Sequence, residues 1–87
     1  MARYQALVEV QLRPGISDPQ GATIERALPA LGFSGVSAMR AGKAFRFLVE
    51  AADEVGARQV VEEMCARLLA NPVIESSAIS LFALAPA

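Results

Sequence analysis

Eighty-seven residues, 54% of them hydrophobic, carry eight Lys and Arg against nine Asp and Glu, for a net charge of −1. A chain of this size makes one domain, 1–87, whose own core is thin, so its apolar excess points to association with other chains. The charge balance excludes nucleic acid as the main partner, because phosphate binding needs a clustered basic face, and the absence of histidine excludes Ser-His and Cys-His nucleophile pairs and His-containing zinc sites.

Residues 3–12 alternate strictly and predict a strand. Tyr4, Ala6, Val8, Val10 and Leu12 point one way, and Arg3, Gln5, Leu7, Glu9 and Gln11 the other. Pro14 and Gly15 stop it. Asp18-Pro19 then starts a helix, with Asp18 as N-cap and Pro19 at the first helical position, where its missing amide costs nothing. Ile24, Ala27, Leu28 and Leu31 follow at helical spacing, and Gly32 suits the left-handed residue beyond the helix end. Pro29 predicts a kinked or tightened last turn. Residues 35–41 and 44–51 read as a hairpin around Gly42-Lys43, with Phe45, Phe47, Val49 and Ala51 alternating in the second arm. Asp53 caps a second helix whose buried stripe is Ala57, Val61, Met64, Cys65 and Leu68, with Val60 at its edge. Its outer face carries Glu54/Arg58 and Glu63/Arg67 at i, i+4. Asn71-Pro72 ends that helix, 74–84 form a last strand, and Ala85-Pro86-Ala87 read as a loose tail.

The order β-α-β-β-α-β is an α+β, ferredoxin-like arrangement: an antiparallel four-stranded sheet with two helices on one face. An internal echo supports two βαβ halves, since Leu7-Val8-Glu9 recurs as Leu48-Val49-Glu50, and Arg26 and Leu28 as Arg67 and Leu69. The helix-free face would carry Leu7, Leu48 and either Phe82 or Leu81. Such an apolar patch marks an interface and predicts a homo-oligomer, a dimer or a dimer of dimers.

The chemistry-bearing residues are few. Asp18 could be a catalytic carboxylate, but its place before Pro19 favours the helix cap; Cys65 falls on the apolar stripe, where a free cysteine behaves as a small hydrophobe. Arg40 and Lys43 flank the hairpin turn and could hold an anion or a partner's carboxylate, while Arg13 and Gln20 sit on the corner at 14–21, which could meet a partner. Phe45 and Phe47 lack the glycines and basic surface of an RNA-recognition motif, and Ala41-Gly42-Lys43-Ala44 lacks the Ser/Thr and second glycine of a phosphate-binding P-loop. No catalytic, cofactor-binding or metal-binding residue is expected. No apolar run approaches the roughly 20 residues that span a bilayer, no signal-peptide core precedes the first strand, and Cys65 has no internal disulfide partner; together these predict a cytoplasmic protein.

Three stretches carry a resemblance across residues 4–80: "VEVQLRPGISDPQGATIERAL", "LGFSGVSAMRAGKAFRF" and "VEEMCARLLANPVIESSAI". They resemble the PurS subunit family of bacterial and archaeal phosphoribosylformylglycinamidine synthase. The resemblance implies a non-catalytic subunit that bridges a PurQ-type glutaminase and a PurL-type synthetase, so that ammonia passes between them. ATP and magnesium would belong to the synthetase subunit. A dimeric small-molecule-binding regulatory module and a stand-alone enzyme are the competing readings.

Overall fold

The computed structural model describes residues 1–84; the tail expected at Ala85-Pro86-Ala87 lies outside them. The elements are β1 (Ala2–Leu12), α1 (Pro19–Ala27), β2 (Gly42–Ala51), α2 (Glu54–Met64) and β3 (Glu75–Ala83). The strands form one antiparallel sheet in the order β2-β1-β3.

β1 follows its sequence pattern. Tyr4, Ala6, Val8 and Val10 are buried, and the residues between them turn to the other face. Register carries the alternation outward. Val8 faces Phe45 and Ile79, and Ala6 faces Phe47 and Leu81, so the inner sides of all three strands meet beneath α2. There Val61 and Cys65 complete one cluster with Ala6, Val8 and Val10, while Ala57 joins Tyr4 and Ala51 in a second. The fully buried larger side chains are Val8, Val10 and Val61, each contributing about 1.5–3 kcal/mol by transfer from water. This is a core of small pieces.

Pro29 tightens the end of the first helix as its chemistry requires: α1 passes through Leu28 into a 3₁₀ turn over Pro29–Leu31. Gly32 then closes it with φ 96°, in the left-handed region where a side chain would be strained.

Three expectations need correction. The described residues form three strands, not four, because 35–41 makes no strand. Its amides are engaged elsewhere: Met39 N donates to Glu25 Oε1 at 2.6 Å and Ala41 N to Asp18 Oδ2 at 2.7 Å. Ala38 also takes a positive φ of 56°, which breaks an extended run. With that arm missing there is no hairpin, and Lys43 lies in β2 rather than beside a turn. The observed strands occupy the first, third and fourth places of the ferredoxin-like order, and the second place, beside β2, is empty of any strand from the described residues.

The second correction concerns the helices. α2 packs across all three strands, whereas α1 buries only Gly21. Ile24 is 42% exposed and Leu31 69%, so one helix covers the sheet instead of two. Third, Leu68 is not buried but 82% exposed. Beyond Met64 the helix widens into a π turn over Cys65–Leu69, with Ala70 N bonded to Cys65 O at 3.1 Å. The wider turn brings Leu69 onto the core in place of Leu68. The outcome is a thin, elongated molecule, 51 × 30 × 14 Å, with a radius of gyration of 16.7 Å. A compact chain of this length would have about 12 Å.

Candidate partner interface

Two features lie outside the core and could meet another molecule: the corner between β1 and α1, and the sheet face turned away from α2.

The corner is held by side chains gripping backbone. Asp18 caps α1 with Oδ1, which accepts from Gly21 N at 3.0 Å, while Oδ2 accepts from Ala41 N. The Gly21 and Ala41 amides hold the Asp18 carboxyl below its ordinary value, with the Arg40 charge adding to the effect. Arg40 works from the other side: its Nη2 lies 3.3 Å from Leu12 O, 3.4 Å from Arg13 O and 3.3 Å from Ile16 O. Glu25 takes the Met39 amide. Residues 39–41 are thus fastened to both the corner and the helix.

Gly21 explains the Asp18-Pro19-Gln20-Gly21 stretch. A β-carbon there would collide with Asp18 Oδ2 and lie 2.9 Å from the Met39 carbonyl oxygen, so only glycine lets the two segments touch.

The far side of the corner is tied to the start of β3. Arg13 donates from its backbone to Ile74 O at 2.8 Å and from Nε to Pro72 O at 3.2 Å. Glu75 accepts from Asn71 N with one oxygen, while its other lies 3.7 Å from Lys43 Nζ. Arg13, Gln20, Arg40 and Lys43 all remain exposed around this end, and the structure brings them together although they come from four segments. What sequence reasoning missed is Arg40's work inside its own chain, for which no local signal exists, and the Glu25–Met39 bond.

On the outer sheet face, Gln5 stands between Leu48 and Phe82, and Leu7 between Arg46 and Ser80. Phe82, not Leu81, belongs to this face. Leu48 is 54% exposed and Phe82 56%; Leu7 is half-buried. Among the described residues no three His, Cys, Asp or Glu side chains converge as a metal site would require, and no helix is long and apolar enough to cross a membrane.

Fold and surface together define a small α+β domain with a fastened corner and an uncovered sheet face. The family profile "PurS: Phosphoribosylformylglycinamidine (FGAM) synthase" matches residues 5–83, and the chain belongs to that family. It is 42% identical over 81 residues to the Synechocystis phosphoribosylformylglycinamidine synthase subunit PurS, covering 93% of this chain and 81% of that one. The Thermotoga maritima PurS crystal structure (EC 6.3.5.3) matches with a TM-score of 0.87 at 32% identity, covering 94% of this chain and 95% of that one. A chain of the T. maritima PurLQS structure matches with a TM-score of 0.87 at 34% identity, over 94% of this chain and 100% of that one. The chain is a subunit of FGAM synthase, a ligase of purine biosynthesis.

Proposed function

We propose that this chain works in the cytoplasm as the non-catalytic bridge of FGAM synthase, holding a PurQ-type glutaminase and a PurL-type synthetase together so that ammonia crosses between them. The observation that carries this reading is the match over the whole of a chain in the T. maritima PurLQS structure. ATP and magnesium are the synthetase's, and no residue of this chain binds them. The corner end is the partner contact: Arg13, Gln20 and Lys43 meet the larger subunits, and Arg40 acts there chiefly by holding the loop that carries Arg13. Leu7, Leu48 and Phe82 belong to a homo-oligomer interface, since an apolar patch on a thin molecule favours self-association.

The test is reconstitution with both large subunits. Glutamine-driven synthesis should require this chain, while synthesis driven by high free ammonia should depend on it far less, because ammonia from bulk needs no sealed path and a bridge raises the partners' effective concentration. Equal glutamine-driven rates without the chain refute the bridge. Reversing the charges of Arg40 and Lys43 together should lower glutamine-driven turnover, and the size of that loss should depend on salt.

A further inference from the structure

β3 is bonded to β1 on one side, and its other side adjoins a groove. The ladder to β1 runs without a bulge from Glu75 opposite Leu12 to Ala83 opposite Tyr4. Just beyond its two ends, Arg13 N donates to Ile74 O and Leu84 N to Arg3 O. In an antiparallel ladder such bonded positions recur at every second residue. Ser76, Ala78, Ser80 and Phe82 therefore turn their amides to β1, and Ser77, Ile79 and Leu81 turn theirs outward. Among the described residues no backbone carbonyl accepts from those three amides. The edge carries neither proline nor lysine, the residues that ordinarily protect an exposed edge.

The groove, of about 460 Å³, lies between this edge and the second helix. Cys65, Ala66 and Ala70 line it from the helical side, and Ser77 and Ile79 from the strand, so its middle is lined by small side chains. α2 runs antiparallel to β3, since Ala57 packs with Tyr4 and Leu81, and Cys65 with Val8 and Val10. Arg58, next to Ala57, thus stands at the Ile79 end of the groove, and Arg13, bonded to Ile74, at the Glu75 end. Among the described residues Arg58 alone of the lysines and arginines is half-buried rather than exposed, and it joins no ion pair. Glu54 and Glu62 stand one helical turn away on either side without closing on it, whereas the equivalent Glu63–Arg67 pair closes at 2.9 Å. A half-buried charge left so favours an anion brought from outside.

An extended segment laid antiparallel along this edge bonds to the Ser77 and Ile79 amides. Its residues opposite those two turn their side chains into the groove, because residues paired across strands share a face. The one opposite Ile79 meets Arg58. The one opposite Ser77 meets Cys65 and Ala66. We propose that the β3 edge takes an extended segment of one of the two larger FGAM synthase subunits, with Asp or Glu opposite Ile79 and a small apolar residue two places toward its C-terminus. The proposal rests on the bridging reading above and names a contact for it, in a groove that opens at its far end on Arg13. β3 of another copy does not supply such a segment, since Glu75, the carboxylate on that face, is taken by the Asn71 amide and Lys43.

The experiment mixes the full chain with each larger subunit in turn. Binding of the right one should slow amide exchange at Ser77 and Ile79 by at least about tenfold, and much less at Ala78 and Ser80, which β1 already holds. Arg58→Glu and Ser77→Pro should each raise the Kd for that subunit by about tenfold in calorimetric titration. Proline at 77 removes an amide that faces outward, so the ladder to β1 stays whole. Glu62→Gln, which removes the carboxylate beside Arg58, should not raise the Kd. Circular dichroism checks that each variant is folded. Unchanged exchange at Ser77 and Ile79 in a complex that does form, or a Kd indifferent to Arg58→Glu, overturns the edge contact and leaves the bridge standing. Slow exchange at these amides in the chain alone, growing with its concentration, assigns the edge to a second copy and also overturns the proposal. A chain that binds neither larger subunit overturns the proposal and the bridge together.

Discussion

The two helices begin in the same way and end in different places. Asp18 and Asp53 each cap a helix by accepting the amide of a glycine three residues on, Gly21 and Gly56. Yet α2 buries Ala57, Val61 and, just past its end, Cys65 against the sheet, while α1 buries nothing but Gly21. Local grammar starts a helix; it does not decide what the helix packs against. α2 is held by apolar burial. α1 is held by a carboxylate-and-arginine clasp on backbone groups, and Ile24 stays exposed.

That contrast can be broken by experiment, and most sharply with a buried charge. Val61→Asp would place an unpaired carboxylate in the core and should cost more than about 3 kcal/mol, unfolding much of the isolated chain. Ile24→Asp on α1 should move stability by no more than about 0.5 kcal/mol. Thermal unfolding of both variants decides the matter, and a large loss from Ile24→Asp would mean that α1 packs on its own sheet.

The paired glycines come next. Gly21→Ala must push against the Met39 carbonyl and should cost about 1–3 kcal/mol. At Gly56 an added β-carbon meets Asp53 Oδ1 at 3.3 Å and Ala51 Cβ at 3.7 Å, tight but tolerable. There the gain in helix propensity, about 1 kcal/mol, offsets the crowding, and Gly56→Ala should be nearly neutral in urea titrations.

The caps themselves should differ less. Asp53→Ala loses one bond and about 1 kcal/mol; Asp18→Asn weakens two, and its effect should depend on pH. The Asp18 carboxyl is held below its ordinary value when folded. Its stabilisation is therefore complete above the unfolded pKa, near pH ~4, and fades as pH falls through the lower folded value. Wild-type and Asp18→Asn stabilities, measured by denaturation from neutral pH down into the acid range, should converge at the acid end. The smallest effect belongs to the exposed Glu63–Arg67 pair, 2.9 Å apart. Arg67→Ala should change stability by no more than about 0.5 kcal/mol in the same assay.

What could be read from the sequence follows the same divide. β1, the two Asp caps, the tightened turn at Pro29 and the left-handed Gly32 depend on neighbours in the chain, and all were legible. The missing fourth strand was not, because the amides of Met39 and Ala41 are captured by carboxylates 14 and 23 residues away. The exchange of Leu68 for Leu69 turns on one widened helical turn that a 3.6-residue period does not register. At the candidate site, Asp18 is legible as a cap but not as a clasp, and the sequence marks Arg40 as a turn charge that could hold an anion or a partner's carboxylate, whereas its guanidinium reaches three carbonyls of its own chain.

The single buried residue of α1 has no side chain, and this divides the labour between main chain and surface. A helix fastened through amides, the Glu25 carboxylate and one bare α-carbon asks little of its other residues beyond helix formation. Positions such as Gln20, Ile24 and Arg26 can then be tailored to whatever lies opposite without disturbing their own domain. The first half of the chain is in this sense a mounting bracket: its fixings are written into Asp18, Gly21, Glu25 and Arg40, and its outward face takes no part in them.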